Sequence, residues 1–121
     1  MLLVDDNEDS AELSRIYAEL RGHSTRVAYD AHSALAAAEE FRPDVALVDL
    51  HLGSDSGFIL AQQLRAIPGL ENCRLVALSG LPRHVAEAGA DAAGVAFYRH
   101  IIKPFERDEF YDAIEGEGGS D

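Results

Sequence analysis

Residues 45–49 read Val-Ala-Leu-Val-Asp, an unbroken apolar run that stops at an acid, and this stretch decides the fold. A short apolar run without polar alternation is typical of a strand that is buried on both faces of a parallel sheet. We interpret four further segments as strands, at residues 1–4, 25–29, 75–78 and 98–102. The pattern therefore predicts five strands.

Segments with helical spacing separate the predicted strands. The first helix follows Asn7, a residue that favours the N-cap position, and ends near Gly22, and its predicted inner face is Leu13, Ile16, Tyr17 and Leu20. Asp30 is the predicted cap of the second helix, and residues 53–57 are expected to form a loop. The predicted inner face of the second helix is Ala34, Leu35, Ala38 and Phe41, and that of the third is Leu60, Leu64 and Ile67. The last two helices are predicted at residues 83–93 and 108–115, the latter with Phe110 and Ile114 facing inward. This alternation predicts an α/β domain with a parallel sheet covered on both faces.

The composition fits one globular domain and excludes several classes of protein. The chain has 121 residues, a hydrophobic fraction of 47% and a net charge of −12. No apolar run reaches the ~18 residues of a membrane span, and the first residues lack the basic start of a secretory signal. Cys73 is the only cysteine, so an internal disulfide and a thiolate metal site are excluded. The negative charge argues against binding to nucleic acid, and we expect a cytoplasmic protein without membrane contact.

Polar or charged residues follow four of the five predicted strands. Asp5 and Asp6 follow the first strand, Asp49 the third, Ser79 the fourth and Lys103 the fifth. Ligands of open α/β sheets bind outside the carboxyl ends of the strands, so we expect these side chains to lie together. Three carboxylates at one place repel each other unless a cation joins them, and oxygen ligands suit Mg²⁺. Beside a metal and a lysine, a carboxylate can act as a nucleophile that carries a phosphoryl group.

Four short motifs at these strand ends resemble those of response-regulator receiver domains. In chain order they are Val4-Asp5-Asp6-Asn7, Val48-Asp49-Leu50 with Gly57 eight residues after the acid, Ala77-Leu78-Ser79-Gly80, and Ile102-Lys103-Pro104. The resemblance implies a flavodoxin-like (βα)5 three-layer sandwich, α/β in class, with a parallel five-stranded sheet in the order 2-1-3-4-5. The resemblance covers essentially residues 2–114, and we predict a receiver domain over residues 1–115. Residues 116–121 are glycine-rich and polar, which predicts a flexible C-terminal tail.

The resemblance also implies a role for each matching residue. Asp49 would be the phosphoacceptor, and Mg²⁺ or Mn²⁺ would be held by Asp6 directly, by Asp5 mainly through water, by Asp49 and by the backbone carbonyl of His51. Lys103 and Ser79 would bind the phosphoryl group. Ser79 and His100 would be the switch residues, and Pro104 would follow a cis peptide bond. Gly53 stands where the family usually has proline, so the loop after Asp49 is expected to be more mobile.

The function implied is that of a phosphorylation-dependent switch in a two-component phosphorelay, not an enzyme. A histidine kinase or a histidine phosphotransfer protein would donate the phosphoryl group, docking near the first turn of helix one and the Pro104-Phe105 loop. Ala11 and Phe105 would supply the apolar contact, and an Ala11→Asp change would slow transfer without unfolding the domain. The face formed by helix four, strand five and helix five would contact a second copy or a downstream protein.

Two other functions are alternatives to the switch. The first is a receiver-like module that binds partners without phosphorylation. The second is an enzyme, either a phosphatase with an aspartate nucleophile or a flavin-binding protein. A phosphatase would need a second aspartate two residues after Asp49, where His51 stands. A flavin protein would need a glycine-rich loop after strand one, where the acids Asp5 and Asp6 stand instead.

Overall fold

Residues 1–115 are described by the computed structural model, and they form a parallel five-stranded sheet with five helices. The strands are β1 (Leu2–Val4), β2 (Arg26–Ala28), β3 (Val45–Asp49), β4 (Arg74–Ser79) and β5 (Arg99–Ile102). The helices are α1 (Glu8–Leu20), α2 (Ala31–Phe41), α3 (Gly57–Ala66), α4 (Arg83–Ala93) and α5 (Arg107–Glu115). The sheet order is β2-β1-β3-β4-β5, so the predicted topology is confirmed. The predicted tail, residues 116–121, lies outside the described residues.

The sheet is buried on both faces, which explains its unbroken apolar strands. Successive side chains of a strand point to opposite faces. Leu2 and Val4 pack in one cluster with residues of α2 and α3, whereas Leu3 packs in another with residues of α1 and α5. Ala86 of α4 packs on the first of these faces, against Ala77. The three layers are therefore α1 and α5, the sheet, and α2 to α4. None of the helices within residues 1–115 is long and apolar enough to cross a membrane.

Side-chain caps set the start of the first three helices. The Asn7 side chain accepts a hydrogen bond from the Ser10 N–H at 2.8 Å, and Asp30 accepts one from the Ser33 N–H at 2.8 Å. Both predicted caps are confirmed. Ser56 caps α3, which begins at Gly57. The predicted loop at residues 53–57 was wrong in part, because Asp55–Ser56 pairs with His51–Leu52 in a short antiparallel hairpin.

Of the predicted inner face of α1, only Tyr17 is confirmed, because it is partly buried against the cluster on the α1 and α5 side of the sheet. Leu13, Ile16 and Leu20 are exposed, with Leu20 retaining 69% of its accessible surface. The buried face consists of Ala11, Ser14 and Ala18 instead. Small side chains let the helix backbone approach the sheet closely, whereas the larger apolar residues point outward. Ala11 is only 1% exposed, so it cannot contact a docking protein as the sequence suggested.

We therefore expect Ala11→Asp to destabilise the domain by several kcal/mol, because the new carboxylate is buried without a partner. A slowing of transfer in a folded domain is therefore not the expected effect of this change, because Ala11 is buried. Leu13→Asp, on the same helix but at a position that is 40% exposed, is the matched control and should cost about 1 kcal/mol or less. Urea unfolding of both variants measures the difference, and equal losses would contradict the assigned buried face.

Candidate functional site

Strand register brings the predicted site residues to one edge of the sheet. Val4 pairs with Val48, and Asp49 pairs with Leu78, so the ends of β1, β3 and β4 lie side by side. The Lys103 N–H donates to the Ser79 carbonyl at 2.8 Å, which places the residue after β5 beside the last residue of β4. The expected gathering of strand-end side chains is therefore observed.

Three acids and one amine form the centre of this edge. Asp5, Asp6 and Asp49 each offer a carboxylate oxygen, and these oxygens all lie within 4.8 Å of one another. Asp5 and Asp49 are buried, whereas Asp6 is exposed. The Lys103 Nζ donates a hydrogen bond to Asp49 Oδ2 at 2.9 Å and lies 3.2 Å from Asp5 Oδ2. One ammonium thus pairs with two of the three carboxylates.

Burial and charge act in opposite directions on the Asp49 carboxyl. Burial raises its pKa above the ordinary value, and the nearby Asp5 adds to this rise. The hydrogen bonds from Lys103 and from the His51 N–H lower the pKa but do not outweigh burial. For Lys103, burial lowers the pKa, but the hydrogen bond and charge of Asp49 together with the charge of Asp5 raise it overall. The lysine is therefore held in its charged form beside an acid whose charge is costly to bury.

The residues present fit a small divalent cation. Asp5 Oδ1 accepts a hydrogen bond from the Asn7 N–H at 3.0 Å, whereas the buried Asp5 Oδ2 makes no hydrogen bond among the described residues and has only the Lys103 ammonium, 3.2 Å away, as an ion-pair partner. Asp49 Oδ1 is oriented by the His51 N–H at 2.9 Å. Three clustered carboxylates that share one lysine offer an all-oxygen set that suits a hard cation, which would also offset the surplus negative charge. The role of the His51 carbonyl stays a prediction.

A tight backbone turn carries the chain from Asp49 to α3. The Gly57 N–H donates to the Leu50 carbonyl at 3.1 Å. A Cβ atom at position 57 would lie 2.2 Å from the Asp49 carbonyl oxygen and 2.5 Å from the Leu50 Cα. Only glycine allows this approach without a shift of the backbone that carries the acid.

The predicted switch residues lie on β4 and β5. Ser79 is buried, and its hydroxyl accepts a hydrogen bond from the Leu81 N–H at 3.1 Å. His100 is half-buried with its ring against Phe97 at 5.5 Å between centroids, and its Nδ1 has no hydrogen-bond partner within residues 1–115. Burial lowers the pKa of His100, Glu87 raises it and Arg83 lowers it further. The Lys103–Pro104 bond is cis, as the resemblance implied.

Two contacts of this edge were not found from the sequence. Asp55 Oδ2 accepts a hydrogen bond from the Ala31 N–H at 3.2 Å, joining residues that are 24 positions apart. Phe105, the predicted docking residue, also packs within the domain. Its ring stacks on Phe110 at 5.7 Å between centroids and meets Tyr17 edge-on at 6.3 Å. The glycine and serine beside Asp55 predict a turn there, but they do not indicate that Asp55 bonds to Ala31.

This chain is similar in sequence to proteins of a known family. The response regulator receiver domain family matches residues 1–115. The DNA-binding response regulator MtrA of Mycobacterium leprae is 35% identical over 111 residues, which are 90% of this chain and 46% of the relative. TcrX of Mycobacterium tuberculosis, a probable transcriptional regulatory protein, is 34% identical over 90% of this chain and 45% of its own. The chain thus spans about half the length of the curated relatives it matches.

Solved structures agree with this placement. The receiver domain of NtrX from Brucella abortus has a TM-score of 0.79 at 31% identity, covering 90% of this chain and 89% of that one. A response regulator from Burkholderia pseudomallei, solved with a phosphorylated aspartic acid, a calcium ion and citrate, has a TM-score of 0.81 at 29% identity, covering 94% and 65% of the two chains. The match over residues 1–115 shows that this chain belongs to the response regulator receiver domain family.

Proposed function

We propose that this receiver domain accepts a phosphoryl group on Asp49 from a histidine kinase or a histidine phosphotransfer protein, with Mg²⁺ as the metal. The observation that carries the proposal is the position of Asp49, buried between Lys103 Nζ at 2.9 Å and two further acids. The relative from Burkholderia pseudomallei, which carries a phosphorylated aspartic acid and a calcium ion, supports the chemistry by analogy. Two-component signalling is the process in which the family acts.

In this proposal Asp49 is the nucleophile and its neighbours orient it. The His51 N–H holds Oδ1, and the Lys103 ammonium holds Oδ2. A carboxylate oxygen attacks the phosphorus of a phosphohistidine, a P–O bond forms, and the P–N bond breaks with its electron pair left on the imidazole nitrogen. Lys103 then pairs with the phosphoryl oxygens. A divalent ion held by Asp5, Asp6, Asp49 and the His51 carbonyl would supply further positive charge against those oxygens.

The same proposal assigns the response to Ser79 and His100. Phosphorylation adds negative charge and acceptor oxygens at Asp49, which draws the Ser79 hydroxyl away from the Leu81 N–H. His100, half-buried beside Phe97, follows into the space that Ser79 leaves, and the face of α4, β5 and α5 changes shape. That face is where we expect a second copy or a downstream protein to bind.

The phosphodonor is proposed to dock at α1 and the Phe105 loop, with a revised apolar contact. Leu13 and Ile16 are exposed on α1, and Leu13 lies one turn before Tyr17, whose ring meets Phe105. Leu13 therefore replaces the buried Ala11 in this role. We propose no catalytic turnover on other substrates and no direct contact with nucleic acid, since the net charge is −12. DNA binding is stated for MtrA, a protein about twice as long as this chain.

The test is intact-mass analysis after incubation with acetyl phosphate or phosphoramidate. We expect the protein to gain one phosphoryl group in the presence of Mg²⁺ and almost none when a chelator removes the metal. Loss of the added mass at alkaline pH would identify an acyl phosphate. A protein that binds no Mg²⁺ and gains no mass would instead favour the phosphorylation-independent interaction module.

A further inference from the structure

The loop after Asp49 is tied to a distant helix by one carboxylate. Asp55 Oδ2 accepts a hydrogen bond from the backbone N–H of Ala31 at 3.2 Å. Ala31 is the first residue of α2. The contact therefore joins the short hairpin of His51–Leu52 and Asp55–Ser56 to the N-terminus of a helix in another part of the chain.

The helix end supplies a favourable partner for this carboxylate. The first N–H groups of a helix lack partners within the helix, and the helix dipole places partial positive charge there. Asp30, the residue before α2, satisfies the Ser33 N–H and leaves the Ala31 N–H free for another acceptor. Asp55 is that acceptor, although it lies 24 residues away.

The hairpin that contains Asp55 contacts Asp49 and passes beside Asp6, two of the three clustered acids. Its first strand contains His51, whose N–H donates to Asp49 Oδ1 at 2.9 Å. Its turn contains Gly53, and a Cβ built there would lie 3.6 Å from Asp6 Oδ2. Gly53 has a φ of +59°, and no proline stiffens this segment. Glycine leaves many backbone conformations open, so the hairpin position depends on its outside contacts.

Two other contacts also hold the hairpin, one at Leu52 and one at Ser56. Leu52 is buried in the core and fixes one side. Ser56 caps α3 through a hydrogen bond from the Ile59 N–H at 3.4 Å, a long contact at the far end of the hairpin. Asp55 pairs with Leu52 across the hairpin, so its bond to Ala31 acts on the pair nearest the Gly53 turn.

We propose that Asp55 is a positioning residue for the metal and phosphoacceptor site, acting through its hydrogen bond to Ala31. It keeps the hairpin seated so that the His51 N–H and the Gly53 turn stay in place beside Asp49 and Asp6. This inference rests on the proposed function, because it assigns Asp55 a part in holding that same site. Its prediction is that the Asp55 hydrogen bond, and not the Asp55 charge, supports metal affinity.

The full chain offers variants that remove the bond from either side. Asp55→Ala removes the acceptor, and Asp55→Asn keeps an acceptor oxygen without the charge. Ala31→Pro removes the donor N–H, at a helix position where proline is well tolerated, and leaves the Asp55 charge intact. Asp30→Ala is the matched control, since it removes a hydrogen bond from the same helix end without touching the hairpin.

Two measurements test the inference, namely Mg²⁺ titration by calorimetry and amide hydrogen exchange of metal-free protein over residues 51–56. We expect Asp55→Ala and Ala31→Pro each to weaken Mg²⁺ binding about tenfold, the range typical for residues that support metal ligands. Both should speed exchange in the hairpin, and the double variant should be no worse than either alone. Asp55→Asn and Asp30→Ala should stay within about twofold of the unchanged protein, well short of that supporting-residue effect.

The outcomes separate this inference from the proposed function. Unchanged Mg²⁺ affinity and unchanged hairpin exchange in Asp55→Ala, in a protein that still gains a phosphoryl group, overturn the inference alone. A tenfold loss in Asp55→Asn with none in Ala31→Pro also overturns it, because charge would then be the cause. If the unchanged protein neither binds Mg²⁺ nor gains a phosphoryl group, the proposed function fails and the inference fails with it.

Discussion

Asp49→Asn is expected to gain no phosphoryl group under conditions in which the unchanged protein gains one. The amide that replaces the Asp49 carboxylate is a poor nucleophile and carries no charge, so the attack is lost and the cation site keeps only two of its three carboxylates, Asp5 and Asp6. Lys103 keeps an acid partner in this variant, since Asp5 Oδ2 lies 3.2 Å from its Nζ. Intact mass after incubation with acetyl phosphate and Mg²⁺ measures the loss.

The loss should occur without unfolding, and the pKa of Asp49 gives the reason. Burial raises that pKa in the folded protein, so the folded domain holds the proton more tightly than the unfolded chain does. The stabilising contribution of this carboxyl is therefore complete below its unfolded pKa and is lost as the pH rises through the raised value. At neutral pH the charged carboxylate costs stability, so in metal-free protein Asp49→Asn should unfold at the same urea concentration or a higher one.

Asp44→Asn is the matched control for the acceptor. Asp44 is an exposed acid that directly precedes β3, so it lies at the opposite edge of the sheet from Asp49. The control removes one negative charge from the same strand region and should retain full phosphoryl uptake. Uptake by Asp49→Asn equal to that of Asp44→Asn would assign the phosphoryl group to another residue and end the proposal.

The strand ends could be predicted because each depends on local sequence. A buried strand appears as an apolar run, and the residue that stops the run is visible in the sequence whatever the rest of the chain does. Asp5, Asp49, Ser79 and Lys103 were found in this way, and the parallel topology then brings them to one edge. The strand order itself came from the family resemblance.

The inner face of α1 could not be predicted from spacing, because two faces of the helix satisfy the same rule. Ala11, Ser14 and Ala18 follow helical spacing as well as Leu13, Ile16 and Leu20 do. The choice between them depends on how closely the helix approaches the sheet, which is a tertiary property. We predicted the larger apolar residues to be buried because they are more hydrophobic, but the small residues are the buried ones.

The hairpin after Asp49 was missed for a related reason. Glycine and serine near residue 54 predict a turn, but the structure also pairs the segment as a hairpin, in which Asp55 bonds to the N-terminus of α2. No sequence signal names a hydrogen-bond partner 24 residues away. The hydrogen bond between Asp55 and Ala31 was therefore visible only in the structure.

Gly57→Ala is expected to lower the free energy of unfolding by about 3 kcal/mol, the upper range for forcing a methyl group into a packed interior. The added Cβ would lie 2.2 Å from the Asp49 carbonyl oxygen and 2.5 Å from the Leu50 Cα, so backbone must move. Alanine favours a helix over glycine by about 1 kcal/mol at most, and Gly57 is the first residue of α3. The gain in helix propensity therefore does not offset the clash.

The same change should slow phosphoryl uptake, because the displaced backbone carries Asp49 itself. A misplacement of about 1 Å in a reacting group can cost about 100-fold in rate, and we expect a loss of this order in the fraction of protein that remains folded. Gly80→Ala is the matched control, since a Cβ at that exposed glycine would meet no heavy atom within 4 Å. Urea unfolding and the rate of mass gain measure the two effects separately. If Gly57→Ala matches Gly80→Ala in both, the turn from β3 to α3 relaxes freely, and close approach of the backbone is not what requires glycine there.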